Sequence, residues 1–307
     1  MQLRRILTYL GLLYAVSAWA LNSVILKHAL IDFDPLALTG LRFLAMTPLA
    51  LALAKLRGER LAINRRDLPL LIACAACGYG VYQYLWIVGL AHTTAFASAL
   101  LLSLTPILTL AIVAVAGHER VHAGRWFGAA LAIAGVAVFE GVFSGQARVG
   151  LGDTLTFAAA LVFAFYNVLS AKLLGRYSPV SLLAVTMCIG TIMILPGAVP
   201  ALLHQNFTRV TPADWGAFAY AVLFPILLTY PVWSYGISQL GAGRTSLFQF
   251  LLPILAGVFS VVILGTHIAV YQILGIAVCI AGMALSQLLG RFSLTALWAQ
   301  RTLPVER

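Results

Sequence analysis

Charge is scarce in this sequence. Asp, Glu, Lys and Arg make up 9% of its 307 residues, against 62% hydrophobic residues and a mean hydropathy of +0.99. A soluble domain carries about 25% charged residues, so this chain has too little polar surface to fold in water alone. Long polar stretches are also missing, the longest internal one being 55–67, which excludes an inserted soluble domain. Short alternating segments of the kind that build a membrane barrel are absent. G-x-S-x-G does not occur, which removes the common serine-nucleophile signature. Cysteine is sparse. Cys74, Cys77, Cys188 and Cys279 all fall within apolar runs. The C-x-x-C at Cys74 and Cys77 has no second pair or nearby histidine, so all four are expected to pack as small hydrophobes. No metal or cofactor site is expected.

What the sequence has is apolar length. A helix crosses about 30 Å of hydrocarbon in roughly 20 residues, and the apolar runs divide into ten such spans: 7–28, 35–54, 69–90, 95–116, 125–143, 153–172, 179–201, 213–237, 244–264 and 270–289. The first run is too long for the apolar core of a cleaved leader and is kept as a span. Asp34-Pro35 and Ser178-Pro179 each set a capping side chain before a proline at the first helical position, and Thr211 with Asp214 forms a capping-box pattern. An even number of spans puts both termini on one side. Arg4, Arg5, Lys55, Arg57, Arg60, Arg65, Arg66, Arg120, Arg125, Lys172, Arg176, Arg244, Arg291, Arg301 and Arg307 then share that side, leaving Lys27, Arg148 and Arg209 opposite. The positive-inside rule makes the basic side, and both termini, cytoplasmic. The net charge of +10 is thereby a topological signal, and no basic soluble module exists to bind nucleic acid.

The chain also repeats itself. Positions 86–137 align with 233–284 without a gap at an offset of 147, pairing Trp86 with Trp233, Gly89 with Gly236, Pro106 with Pro253, Gly128 with Gly275 and Gly135 with Gly282. At nearby offsets Asn22 meets Asn167, and Asp34-Pro35 meets Ser178-Pro179. Spans one to five therefore correspond to six to ten. Five is odd, so the second copy enters the membrane upside down, the arrangement of alternating-access carriers. The expected fold is an all-α membrane protein of ten transmembrane helices in two inverted five-helix repeats, 1–147 and 148–290, followed by a cytoplasmic tail, 291–307. Pro106 and Pro253 interrupt two apolar runs and are expected to kink them as hinges. Membrane helices also carry prolines without such a role.

These features, with "DPLALTGLRFLAM" in the second span and "SLTPILTLAIVAVAGHER" in the fourth, resemble the drug/metabolite transporter superfamily in its EamA-type branch. The second copy departs from the pattern where Thr266 stands for Glu119. The resemblance extends over about residues 7–289. The aromatic third span and the length look most like bacterial aromatic amino acid exporters of the inner membrane. That likeness implies a multi-pass monomer in the lipid bilayer carrying a small-molecule amino acid.

Candidate lining residues are polar groups at membrane depth, which are costly against lipid. Asn22 and Asn167 each lie about five residues inside their spans and serve either a pathway or helix–helix bonding. Tyr79, Tyr82 and Trp86 recur at helical spacing with Gln83 beside them, as pathway lining or as a packing seam. Tyr230 and Trp233 are their counterparts. Ser98, Thr105 and Thr109 share one face, and Thr245, Ser246 and Gln249 cluster in the ninth span; hydroxyls also bond back to their own helix. This set of aromatics, hydroxyls and amides suits a neutral or zwitterionic solute with an apolar body, and not a sugar phosphate. Arg42 is the exception: about 10 Å into its span, it either snorkels or pairs. Of the acids only Glu140 lies within a span, and the histidines sit at loops or span ends, so uniport is expected. The alternatives are a broad-specificity drug/metabolite exporter, a channel, or an integral membrane enzyme, whose nearest acid pair would be Asp32 and Asp34.

Overall fold

The computed structural model describes residues 2–59, 61–115, 123–139, 149–240, 245 and 247–300. Arg60, Glu119, Arg120, Glu140, Arg148, Arg244, Ser246, Arg301 and Arg307, named above, lie outside them. Among the described residues every regular element is helical: α1 (Gln2–Ala29), α2 (Pro35–Leu56), α3 (Leu68–Ala75), α4 (Val81–His92), α5 (Ala95–Leu102), α6 (Thr105–Val115), α7 (Ala123–Phe139), α8 (Leu151–Leu173), α9 (Pro179–His204), α10 (Pro212–Val222), α11 (Thr229–Leu240), α12 (Leu251–Leu264) and α13 (Val270–Gln300). Among the described residues seven helical stretches are long and apolar enough to cross a membrane, and three shorter apolar helices, Gly124–Phe139, Leu251–Leu264 and Val270–Ser286, fall at the expected fifth, ninth and tenth spans. The protein is a multi-pass membrane protein.

Side chains begin the helices where the sequence places them. The Asp34 carboxylate accepts from the amides of Leu36 and Ala37 at 2.8 and 3.0 Å. Ser178 Oγ accepts from the Ser181 amide at 3.1 Å. Thr211 and Asp214 bond reciprocally, amide to side chain, at 2.9 and 3.3 Å. Each satisfies amides that a helix leaves unpaired at its start.

Departures from regular helix are as regular as the caps. The third and eighth spans each contain a wide, π-helical segment, Ala76–Gly80 and Leu223–Leu228. Their starts differ by the same 147 positions that relate Trp86 to Trp233. One segment is glycine-rich, "ACGYG", and the other contains Pro225 and is followed by Pro231; different residues loosen the backbone at one place. Pro106 does more than kink its span. The run breaks after Leu102, and the proline lies in the first turn of α6. Having no N–H, Pro106 leaves the Leu102 carbonyl without its helical donor; the Thr105 hydroxyl donates to it at 2.6 Å. Pro253 likewise falls in the first turn of α12, after a 3-10 turn at Leu247–Phe250.

Packing exchanges partners between the copies. α1 lies against α11 and α12 of the second half, and α8 lies against α4 and α6 of the first. α2 pairs with α9, and α7 with α13. Replacing every helix by its repeat counterpart reproduces this pattern. The α7–α13 crossing makes it plain: Gly128 approaches Gly282 and Ser286, while Gly135 approaches Gly275 and Cys279, so the two helices run antiparallel. A Cβ on Gly135 would stand 2.3 Å from the Cys279 amide nitrogen, and one on Gly282 2.3 Å from that of Ala132. Lipid supplies no hydrophobic drive between helices, so small residues that admit close backbone contact hold such a crossing.

Polar contacts gather at the two ends of the bundle. At one end Arg176 pairs with Asp67, which also accepts from Tyr177 Oη at 3.1 Å. At the other, Lys27 Nζ donates to the carbonyls of Leu90 and Ala91, both at 2.9 Å, closing the last turn of α4. Gln205 ties the Asp32–Asp34 turn to α9 there, donating to the Asp32 carbonyl and accepting from the Asp34 amide.

Candidate functional site

A cavity of about 60 Å³ opens between the exchanged groups of helices. Its wall is formed by Trp19, Asn22 and Ser23 of α1, Arg42 of α2, Tyr82, Gln83 and Trp86 of α4, and Leu102 and Thr105 at the break before Pro106. The second half adds Phe163 of α8, Pro225 and Ile226 of the π segment, Tyr230 of α11, and Gln249 and Leu252. This volume admits a few water molecules.

The aromatic walls form one connected cluster. Tyr82 stacks on Trp86 at 6.4 Å with an interplanar angle of 7°, and touches Phe163 at 4.8 Å. Phe163 meets Tyr230 edge-on at 6.3 Å, and Trp19 meets Tyr230 at 6.0 Å. Trp19 is fixed by its indole N–H, which donates to the Pro225 carbonyl at 2.6 Å and lies 2.8 Å from Thr229 Oγ1. The π segment thus has its loosened backbone tied to α1 of the other half.

Within this apolar frame several polar atoms have no hydrogen-bond partner among the described residues: Asn22 Oδ1, Gln83 Oε1, Gln249 Oε1, Trp86 Nε1, and Nε, Nη1 and Nη2 of Arg42. Arg42 is fully buried. It does not snorkel, and no carboxylate among the described residues pairs with it. Its guanidinium carbon stands 5.8 Å from the centroid of the Trp86 ring. A cation–π contact supplies up to about 2 kcal/mol when desolvated, whereas an unpaired buried ion costs several kcal/mol. The aromatic ring alone does not balance that cost.

Of the residues expected from sequence, Asn22, Tyr82, Gln83, Trp86, Thr105, Tyr230 and Gln249 come together in this wall. Tyr79, Ser98, Asn167 and Trp233 do not reach it. Tyr79 sits one layer behind, its hydroxyl 3.4 Å from that of Tyr166 and its ring 5.5 Å from Tyr230. The spacing from Tyr79 to Trp86 assumed a regular helix, and the wide turn at Ala76–Gly80 displaces Tyr79 from that face. Ser98 is buried on α5. Asn167 donates to Thr109 Oγ1 at 3.4 Å. Trp233 packs on Trp19 at 4.9 Å. Trp19, Ser23, Phe163 and Pro225 were not singled out by sequence, and Arg42 was assigned to the interface or to a partner. Cys74 and Cys279 are buried in the core, and the other two cysteines are half-buried. No group of three metal-ligating side chains forms among the described residues.

Comparison with known proteins agrees with this architecture. The profile of the EamA-like transporter family matches the chain twice, over residues 6–140 and 150–288. A relative from Streptantibioticus cattleyicolor, described as "Probable terminal-alkyne amino-acid exporter", is 31% identical over 258 residues, covering 83% of this chain and 86% of the relative. One from Salmonella typhimurium, "Probable amino-acid metabolite efflux pump", is 26% identical over 286 residues, covering 90% and 92%. A solved crystal structure superposes with a TM-score of 0.67 over 92% of this chain and 97% of its own, at 21% identity, a likeness of fold.

Proposed function

The chain belongs to the EamA-like transporter family, and from that membership we propose that it exports amino acids, aromatic or other neutral ones, by alternating access between two inverted five-helix repeats. It is a transporter and not an enzyme. The observation that carries the finer reading is the cavity: a buried aromatic and amide-lined space between helices that exchange partners across a repeat. The antiparallel α7–α13 crossing supports the inversion, because exchanging each glycine for its counterpart 147 positions away returns the same set of contacts. The matched π segments supply backbone that bends at equivalent places in both halves. Relatives described as amino-acid exporters and efflux pumps support the substrate class and direction.

Two groups lean on the cavity from opposite sides. One joins α1 to α11 and α12; the other joins α8 to α4 and α6. Tilting one against the other opens the cavity at one end of the bundle and then the other. The end carrying Arg65, Arg66 and Arg176 is the cytoplasmic one by the positive-inside rule, in a bacterial inner membrane with both termini inside. With no acid among the residues lining the cavity, the carrier works as a uniporter.

Purified protein in liposomes preloaded with unlabelled phenylalanine tests this directly. Saturable uptake of labelled phenylalanine by counterflow is the expected result. Conductance without saturation would identify a channel, and uphill accumulation driven only by a pH step would overturn uniport. Equal flux of cationic drugs and amino acids would favour the broad-specificity alternative.

A further inference from the structure

Resting on the carrier reading above, we infer that Arg42 is the carboxylate anchor of the transport site, so that the cavity selects α-amino monocarboxylates with an apolar or aromatic body over the corresponding amines, amides and esters. Four observations converge on it.

Arg42 is fully buried, lines the cavity, and has three guanidinium nitrogens without a hydrogen-bond partner among the described residues. A planar fork of N–H donors matches a carboxylate with two parallel hydrogen bonds. The Trp86 indole N–H, beside it and also unpartnered, is a further donor on the same wall. The remaining unpartnered lining atoms are of the opposite kind: Asn22 Oδ1, Gln83 Oε1 and Gln249 Oε1 are all acceptors. An α-ammonium carries donors alone, so these three carbonyl oxygens complement it without a formal negative charge. The charge balance sets the class. One cation and no acid among the lining residues favours a solute contributing a single carboxylate, disfavours an amine lacking one, and falls short of a phosphate ester's two charges. The body of such a solute meets Trp19, Tyr82, Phe163 and Tyr230.

The repeat sharpens the assignment. At the offset relating Asp34-Pro35 to Ser178-Pro179, Arg42 corresponds to Thr186, whose hydroxyl donates to its own helix at the Leu182 carbonyl, 2.5 Å away. The second half offers no matching cation, so the solute has one orientation in the cavity.

The experiment is competition against labelled phenylalanine counterflow in liposomes by phenylalanine, 3-phenylpropionate, phenylalaninamide and phenethylamine, for the wild type, Arg42→Gln and Arg42→Lys. For the wild type, phenylalanine should compete at least tenfold better than its amide or phenethylamine, with 3-phenylpropionate between. Arg42→Gln should raise the half-saturating concentration of phenylalanine at least tenfold and bring the acid-to-amide ratio close to one. Arg42→Lys should recover part of that ratio. A purely structural arginine would lower flux and leave the ratio unchanged. Equal competition by acid and amide in the wild type, or an unchanged ratio in Arg42→Gln, overturns the anchor and leaves the carrier standing. Absence of saturable flux for every amino acid in the wild type overturns both.

Discussion

Asn22 and Asn167 occupy corresponding places on α1 and α8 and meet different surroundings. Asn22 faces the cavity with its carbonyl oxygen unpartnered, while Asn167 lies outside the lining and bonds to Thr109. The same contrast recurs between Trp86, which lines the cavity, and Trp233, which packs behind Trp19. Arg42 and Thr186 extend it. By contrast the capping side chains, the π segments, the prolines and the glycine crossing have near copies in both halves. The scaffold is duplicated and the polar equipment is not. Under the proposed function the solute is itself asymmetric, with a charged end and an apolar end, so one cavity between the two copies needs only one set of groups. The second set is released to pack.

The largest predicted effect probes the duplicated part. Gly135→Ala and Gly282→Ala each drive a Cβ into the opposing backbone, and each should cost about 3 kcal/mol or more, read as a fall in thermal midpoint in detergent. Gly216→Ala, with nothing within 4 Å of the added carbon, should be neutral or slightly stabilising. Tolerance of one glycine substitution and not its counterpart would break the equivalence of the halves at this crossing.

The asparagines test the part that is not duplicated. Asn22→Ala should lower phenylalanine flux at least tenfold, about 1.4 kcal/mol, with little change in thermal midpoint. Asn167→Ala should lose about 1 kcal/mol of stability and keep most of the flux. Similar losses of flux in both would mean that the cavity draws on the two halves alike.

Two smaller effects follow from contacts between halves. Trp19→Phe keeps the aromatic ring and removes the indole donor to the Pro225 carbonyl. It should cost about 1–2 kcal/mol, whereas Trp233→Phe loses no hydrogen bond given by the structure and should cost less. Asp67→Asn weakens the contact with Arg176 at the loop end of the bundle. That loss should be about 1 kcal/mol or less and should shrink further in high salt, measured by thermal unfolding.

The helix starts, the repeat and the partition of basic loops were legible because each has a local chemical cause: a capping carboxylate, a shared offset, a lysine that cannot lie in lipid. The lining was legible only where a residue was polar. Trp19 and Phe163 went unnoticed because lipid and neighbouring helices present equally apolar surroundings, so periodicity cannot tell an inward face from an outward one. The π segments left no common sequence mark, since "ACGYG" and "LFPILL" share no residue type, and the resulting shift in phase is what removed Tyr79 from the expected face. Arg42 was visible as a charge at depth, but its neighbours are fixed only by packing between α2 and α4.

The cross-packing of α1 with α11 and α12, and of α8 with α4 and α6, has a consequence for how the chain is assembled. Neither product of a cut in the connection between the copies owns a complete wall: each would present its lone first helix without the neighbours it was shaped to meet. Expressed separately, the fragments should be unstable alone and regain function only on meeting in the same bilayer. Each packed group is a chimera of the early and late parts of the sequence, so α1 lacks its full set of neighbours until α12 has been made.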